Sequence, residues 1–180
     1  MSNWAADIFI DTLYFLLRDY EFQKITIDQI VEKSGLSKST FYRCYDSKYA
    51  LLESLYDKTV TSVALKTNKE MSWMETGIVM LNMLLKNGTV FVNAWSDSEK
   101  TLQKLSYKRF LSTYSYLIKD MNAEQLHVLE TYLMGTCTIT VKWIRENTFD
   151  SAEKMMEILK MATPETIKEA LFPKDNQSDI

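Results

Sequence analysis

Glycine and proline are scarce in this chain: four and two among 180 residues, where average usage is roughly 7% and 5%. So few breakers point to long helices, and Gly35, Gly77, Gly88 and Gly135 become punctuation marks. Enzyme signatures are missing as well. There is no Gly-rich phosphate loop, no G-x-S-x-G and no H-E-x-x-H. With one histidine, His127, and two distant cysteines, Cys44 and Cys137, triads and zinc sites are poorly supplied. No cofactor is expected, and His127 is expected at a surface or helix edge. The opening MSNWAADIFI has neither a basic n-region nor a long apolar h-region, and no apolar run approaches about 18 residues. These absences predict a soluble, cytoplasmic protein without catalytic machinery.

Hydrophobic residues make up 46% of the chain, which excludes disorder. The length suits one domain, or a small domain joined to a larger one. Apolar spacing is helical almost throughout. An amphipathic helix spans Trp4 to Arg18, followed by a connector in which Phe22 and Ile25 plug the core. Further helices are predicted over Ser72–Lys86, Thr89–Trp95, Ser98–Met121, Ala123–Asn147 and Ser151–Phe172, the last with a break at Thr163-Pro164. Thr136 to Val141, TCTITV, is rich in β-branched residues but lacks partner strands, so it reads as buried helix. The tail from Lys174 is polar and reads as frayed. The expected class is all-α, with about nine helices.

Residues 26 to 48, TIDQIVEKSGLSKSTFYRCYDSK, are the most specific stretch. Thr26 and Gln29 have the spacing of a capping box at the start of a helix. Gly35 sits where that helix must stop and turn with φ > 0. Ser37 can cap the next helix, and Asp46 or Ser47 the one after. At the helical repeat, Phe41, Cys44 and Tyr45 share one side, while Ser39, Tyr42 and Arg43 share the other with Lys38 at its edge. The second side offers hydroxyls and cations, the groups that bind phosphates and base edges. A helical hairpin with a merely solvated face would show the same pattern. Charge cuts both ways. The whole chain carries -3 with a pI near 5.3, against the basic footprint expected of a nucleic-acid binder. Yet Lys33, Lys38, Arg43 and Lys48 face only Asp46 between residues 33 and 48, a local +3.

The run from Thr26 to Leu52 resembles the DNA-binding domain of the TetR family of transcriptional regulators. The resemblance is carried by Thr26, Ile30-Val31, the Gly35-Leu36-Ser37 turn, Ser39-Thr40-Phe41-Tyr42, Tyr45, Ser47-Lys48 and Leu51-Leu52. It implies phosphate contacts from Thr26, Tyr42 and Lys48, and base-reading or groove-lining roles for Ser37, Lys38, Ser39, Thr40 and Arg43. It also implies a DNA-binding head over residues 1–48, helix four connecting over about 47–66, and a regulatory and dimerisation domain over 49–180. One departure stands out. No Lys or Arg precedes Arg18, so the family's basic N-terminal arm is missing and a shallower salt dependence is expected.

For the larger half the resemblance implies an effector pocket and a homodimer built on the last two long helices. Around Tyr132, Gly135, Trp143, Ile144 and Ser151-Ala152-Glu153 the chain is similar to the subgroup of dihydroxyacetone-kinase operon regulators. Two heads reading a pseudo-palindrome in double-stranded DNA would stand roughly 34–36 Å apart, or a similar multiple-turn spacing. Gly135 inside a helix costs about 1 kcal/mol relative to alanine, which a close helix approach or a local kink would justify. Trp95, Tyr107, Tyr114, Tyr132 and Trp143 are candidates to line an apolar pocket; simple core is the alternative for each. The expected function is a DNA-binding regulator controlled by a small molecule or a regulatory protein, with no membrane partner. The alternative is a module of the same fold that regulates through a protein partner, with weak or no DNA binding of its own.

Overall fold

Several helices in this chain start where a short polar side chain holds the first free backbone N–H groups. Thr26 and Gln29 close a capping box, and Ser72 and Glu75 close a second. Ser37, Ser47 and Ser151 each accept from the backbone N–H three residues on. Gly35 ends its helix in the left-handed region at φ 71°, a conformation that costs glycine nothing.

The computed structural model describes residues 4–67, 71–95, 99–146 and 151–172. The chain runs α1 (Trp4–Leu16), a 3₁₀ turn (Phe22–Lys24), α2 (Ile27–Ser34), α3 (Lys38–Cys44) and α4 (Lys48–Tyr56). A π-helical turn, Asp57–Thr61, leads straight into α5 (Ser62–Thr67). Then come α6 (Trp73–Lys86), α7 (Gly88–Trp95), α8 (Glu99–Thr113), α9 (Ser115–Ile118), α10 (Ala123–Glu146), α11 (Ala152–Met161) and α12 (Glu165–Leu171). Among the described residues there is no strand, and TCTITV lies within α10. The class is all-α.

The helices are more segmented than periodicity predicts. The π turn divides the fourth helix, and Pro164 divides the last. The helix expected to run to Met121 breaks at Tyr114, which is buried between Trp73 and Phe110 and leaves helical geometry at φ -112°, ψ 32°. Ser98, Asn147 and the polar tail lie outside the described residues.

Three apolar clusters hold the chain together. The first centres on Phe9, Phe22 and Phe41, each with no exposed surface. Phe9 and Phe41 meet edge to face at 5.2 Å, a favoured arrangement for aromatic quadrupoles. This cluster continues through Leu51, Leu52 and Leu55 of α4 into Val90 and Ala94 of α7 and Leu102 and Leu105 of α8. The N-terminal core therefore does not stop at residue 48. Asn93 Nδ2 also donates to the Leu17 carbonyl at 2.9 Å, and Tyr14 donates to Asn87. The second cluster gathers Phe110, Tyr114, Leu129, Leu133, Ile167 and Leu171. The third gathers Leu81, Trp143, Met155, Met156 and Leu159. It depends on a close approach of α6 to α11: a Cβ on Gly77 would lie 2.4 Å from the Met156 sulfur.

Candidate nucleic-acid interface and an apolar cavity

The third helix divides as its spacing predicts. Phe41 is fully buried, Tyr45 nearly so, and Cys44 is half-buried. Tyr45 also donates its hydroxyl proton to the Ala6 carbonyl at 3.2 Å, tying the end of α3 to α1. Lys38, Ser39, Tyr42 and Arg43 are exposed, and Thr40 is half-buried. Tyr42 stands half exposed while its ring lies edge-on to Phe41 at 5.5 Å. A rigid buried ring thus orients an exposed one.

The hydroxyls next to this face are already ordered. Ser37 Oγ accepts from the Thr40 N–H at 3.1 Å and lies 2.9 Å from Ser39 Oγ and 2.8 Å from Thr40 Oγ1. Thr26 is exposed, with its hydroxyl held inside the capping box by Gln29. Contact with an anion requires a hydroxyl to donate its proton: Ser37 can do so while still accepting from the Thr40 N–H, whereas Thr26 must first release Gln29 Oε1.

The local +3 is less free than the count implies. Lys33 sits over the Phe15 ring at 4.4 Å. Lys38 pairs with Asp28 at 2.7 Å, and this contact raises the lysine pKa. That pair is exposed and weak, so a phosphate can replace the carboxylate. Lys48 differs. Its ammonium donates to the carbonyls of Phe22 at 3.0 Å, Gln23 at 3.2 Å and Ile25 at 2.9 Å. It also lies over the Phe22 ring at 4.6 Å. An ammonium has three donors, and all three are engaged. Burial lowers its pKa. Lys48 thereby fastens the start of α4 to the turn before α2.

Residues 10–55 match the family described as bacterial regulatory proteins, tetR family. That segment is what the chain shares with the TetR family. Two solved structures share its fold well beyond that segment. One is a TetR transcriptional regulator from Streptococcus agalactiae 2603V, with a TM-score of 0.69 and 16% identity, covering 89% of this chain and 94% of that one. The other is the dihydroxyacetone kinase operon activator DhaS, with a TM-score of 0.62 and 14% identity, covering 88% and 93%. Identities this low show shared architecture alone. No curated protein matches the sequence.

Two neighbouring residues grip different parts of the molecule. Lys58 reaches back to α1, 2.8 Å from Asp11 and 3.6 Å from Asp7. Asp57 turns the other way and takes a forked hydrogen bond from Arg109 of α8. Both sit in the π turn, where one extra residue per turn re-aims side chains. Sequence spacing gave no hint of either contact, because the partners lie far away along the chain.

A cavity of about 220 Å³ opens where the three apolar clusters meet. Trp95, Tyr114 and Tyr132 line it as expected. Tyr107 and Trp143 do not, which corrects the sequence reading. Trp143 is 1% exposed inside the third cluster, and Tyr107 packs against the second with its hydroxyl toward the Leu126 carbonyl at 3.4 Å. Trp73 also lines the cavity, against Phe110 and Tyr114, at 5.2 and 5.0 Å. The π turn contributes Val60 and Thr61 to the wall, and Tyr56 precedes them. Burial pushes the Tyr114 hydroxyl up to about 12 and the Cys137 thiol, another wall group, up to about 11. His127 is exposed, with Nδ1 2.7 Å from the Ala123 carbonyl. Among the described residues no helix is long and apolar enough to cross a membrane, and no group of three or more His, Cys, Asp or Glu could hold a metal ion.

Proposed function

We propose that this chain is a cytoplasmic, sequence-specific transcriptional regulator that reads a pseudo-palindromic operator as a homodimer and is switched through its helical body. The observation that carries the reading is the exposed Ser39, Tyr42 and Arg43 on a helix whose opposite side is locked by Phe41. Arg43 suits bidentate contact with a guanine edge, Tyr42 and Thr26 suit phosphate, and Ser37, Lys38, Ser39 and Thr40 suit the groove and its walls. Residues 1–48 act as the head, α4 and α5 as the connection, and the remaining helices as the regulatory and dimerisation part.

Dimerisation through the last two long helical segments is supported by what α10 and α11 leave uncovered. Gly135 faces open space, and Ile139 and Met161 are exposed at 39% and 72%. The cavity supports a small molecule as effector. A guest there touches Val60 and Thr61 of the π turn, so it can bias how α4 carries the head. Such a bias needs different affinity for two head positions.

A salt-titrated gel shift against genomic fragments tests the reading. Selective binding is expected at low salt, and Arg43→Ala should relax specificity at one position while costing about 1–3 kcal/mol. Lys48 acts here as a positioning residue. Lys48→Ala should therefore weaken binding without changing the salt slope, whereas loss of a phosphate contact would reduce that slope by about one. The second reading, a protein-partnered module, draws on Lys33, Lys38 and Lys48 being engaged within the molecule. Absence of selective binding at low salt, with and without partner, would favour it.

A further inference from the structure

We infer that the cavity takes an uncharged, apolar molecule of about nine non-hydrogen atoms, and that Gly77 sets this limit by leaving Met156 room to lie back against α6. The inference rests on the reading of this cavity as the effector site. It names the class of guest and the residue that selects its size. An apolar cavity of about 150 Å³ holds benzene, so 220 Å³ scales to about nine heavy atoms.

The wall decides the chemistry. It is rich in Leu, Met, Phe, Trp and Tyr side chains, such as Leu81, Leu133, Met80 and Phe110. Its one charged residue among those described, Arg109, already donates a forked hydrogen bond to Asp57. A carboxylate guest would have to displace Asp57. An ammonium guest would find no acidic wall residue among those described. Burying an unpaired ion is far more costly than burying a hydrocarbon.

Gly77 decides the size. It lies on α6 and lines the cavity, as does Met156 of α11. A Cβ on Gly77 would lie 2.6 Å from the Met156 methyl carbon and closer still to its sulfur. Carbon atoms rest about 3.5–4.0 Å apart, so the thioether would have to retreat by about 1 Å. Methionine is unbranched and adapts easily, which makes such a retreat cheap. Its direction is constrained, because Met156 is 2% exposed and belongs to the third apolar cluster. In a close-packed interior a displaced side chain moves into vacant volume, and the vacant volume that Met156 borders is the cavity. A side chain at position 77 therefore takes space from the guest.

Titration calorimetry on the full chain with toluene, cumene, cyclohexylbenzene and benzoate tests both halves of the inference. In the unaltered chain cumene should bind tightest, with cyclohexylbenzene and benzoate each at least about tenfold weaker. Gly77→Ala should weaken cumene relative to toluene by about fourfold, the worth of one buried CH₂. Met156→Ala removes about three heavy atoms from the wall and should bring cyclohexylbenzene level with cumene. Combining the two substitutions should restore the cumene-to-toluene ratio, because the alanine methyl no longer meets a thioether. A merely structural role for Gly77 would weaken every probe alike. In the unaltered chain the Met156 methyl resonance should move with cumene, which keeps the test valid if the variants fail to fold. Four results would overturn the inference: binding of no apolar probe, benzoate or cyclohexylbenzene as tight as cumene, a cumene-to-toluene ratio that Gly77→Ala leaves unchanged, or a silent Met156 methyl signal. Operator binding is measured separately on the unliganded chain. Its loss with probe binding intact would overturn the regulator reading alone.

Discussion

The head and the body of this molecule use the same residue types to opposite ends. In the head, Phe9, Phe22 and Phe41 have no exposed surface, and Phe9 meets Phe41 at 5.2 Å. In the body, equally large aromatics stand around a hollow: Trp73, Trp95, Tyr114 and Tyr132 line 220 Å³ of space. The head's helix starts are capped by Thr26, Ser37 and Ser47. In the body, the Trp73 N–H has no partner among the described residues. Dense packing fixes side chains in one arrangement, which a reading surface needs. A hollow gives up contacts that a guest can restore, which a switch needs. Position, more than composition, separates the two tasks.

Matched truncations should break the comparison most sharply. Leu13 is fully buried in the head, whereas Leu133 is 8% exposed and lines the cavity. Leu13→Ala is expected to cost about 3–5 kcal/mol and Leu133→Ala about 2–3, since the second side chain already lacks neighbours on one side. Chemical denaturation of both variants measures this; equal costs would mean the hollow is closed in solution.

A smaller effect is expected at the joint between the regions. Asp57→Asn removes the charge from a half-buried fork with Arg109 and should cost about 1–2 kcal/mol. Lys58→Ala removes exposed pairs with Asp7 and Asp11 and should cost under about 1 kcal/mol. The reverse order in thermal melts would show that the π turn is held chiefly from the head side.

The mildest prediction concerns reactivity. Burial raises the Cys137 thiol from its usual value near 9 to about 11. The thiolate is the reactive form, so iodoacetamide at pH 8 should leave Cys137 unmodified in the folded chain and modify it after denaturation, as mass spectrometry will read. The folded chain holds this proton more tightly than the unfolded one. Its contribution to stability is therefore complete below about 9 and is lost as pH rises toward 11.

Local chemistry was legible in the sequence. The box at Thr26 and Gln29, the turn at Gly35, the cap at Ser37 and the two sides of α3 depend on residues a few positions apart, and all appear as read. Features set by distant neighbours were not legible. Lys48 looks like a free cation until the 3₁₀ turn folds its carbonyls around it. Trp143 and Trp73 are both aromatics in a helical pattern, yet Trp143 is closed into the third cluster while Trp73 lines the cavity. Tyr114 ends its helix through packing that no short window contains.

The π turn at Asp57–Thr61 has a consequence for anyone who would exchange heads between such proteins. Every residue added to an ordinary helix rotates the downstream segment by about 100°, so the surplus residue in that turn acts as a phase offset between the two ends of one rod. A chimera joined at residue 48 or 55 would take this offset from whichever parent supplies the later segment. Joined after Thr61, the transplanted head keeps its own angular setting, and a single deletion within the turn becomes a dial for rotating it.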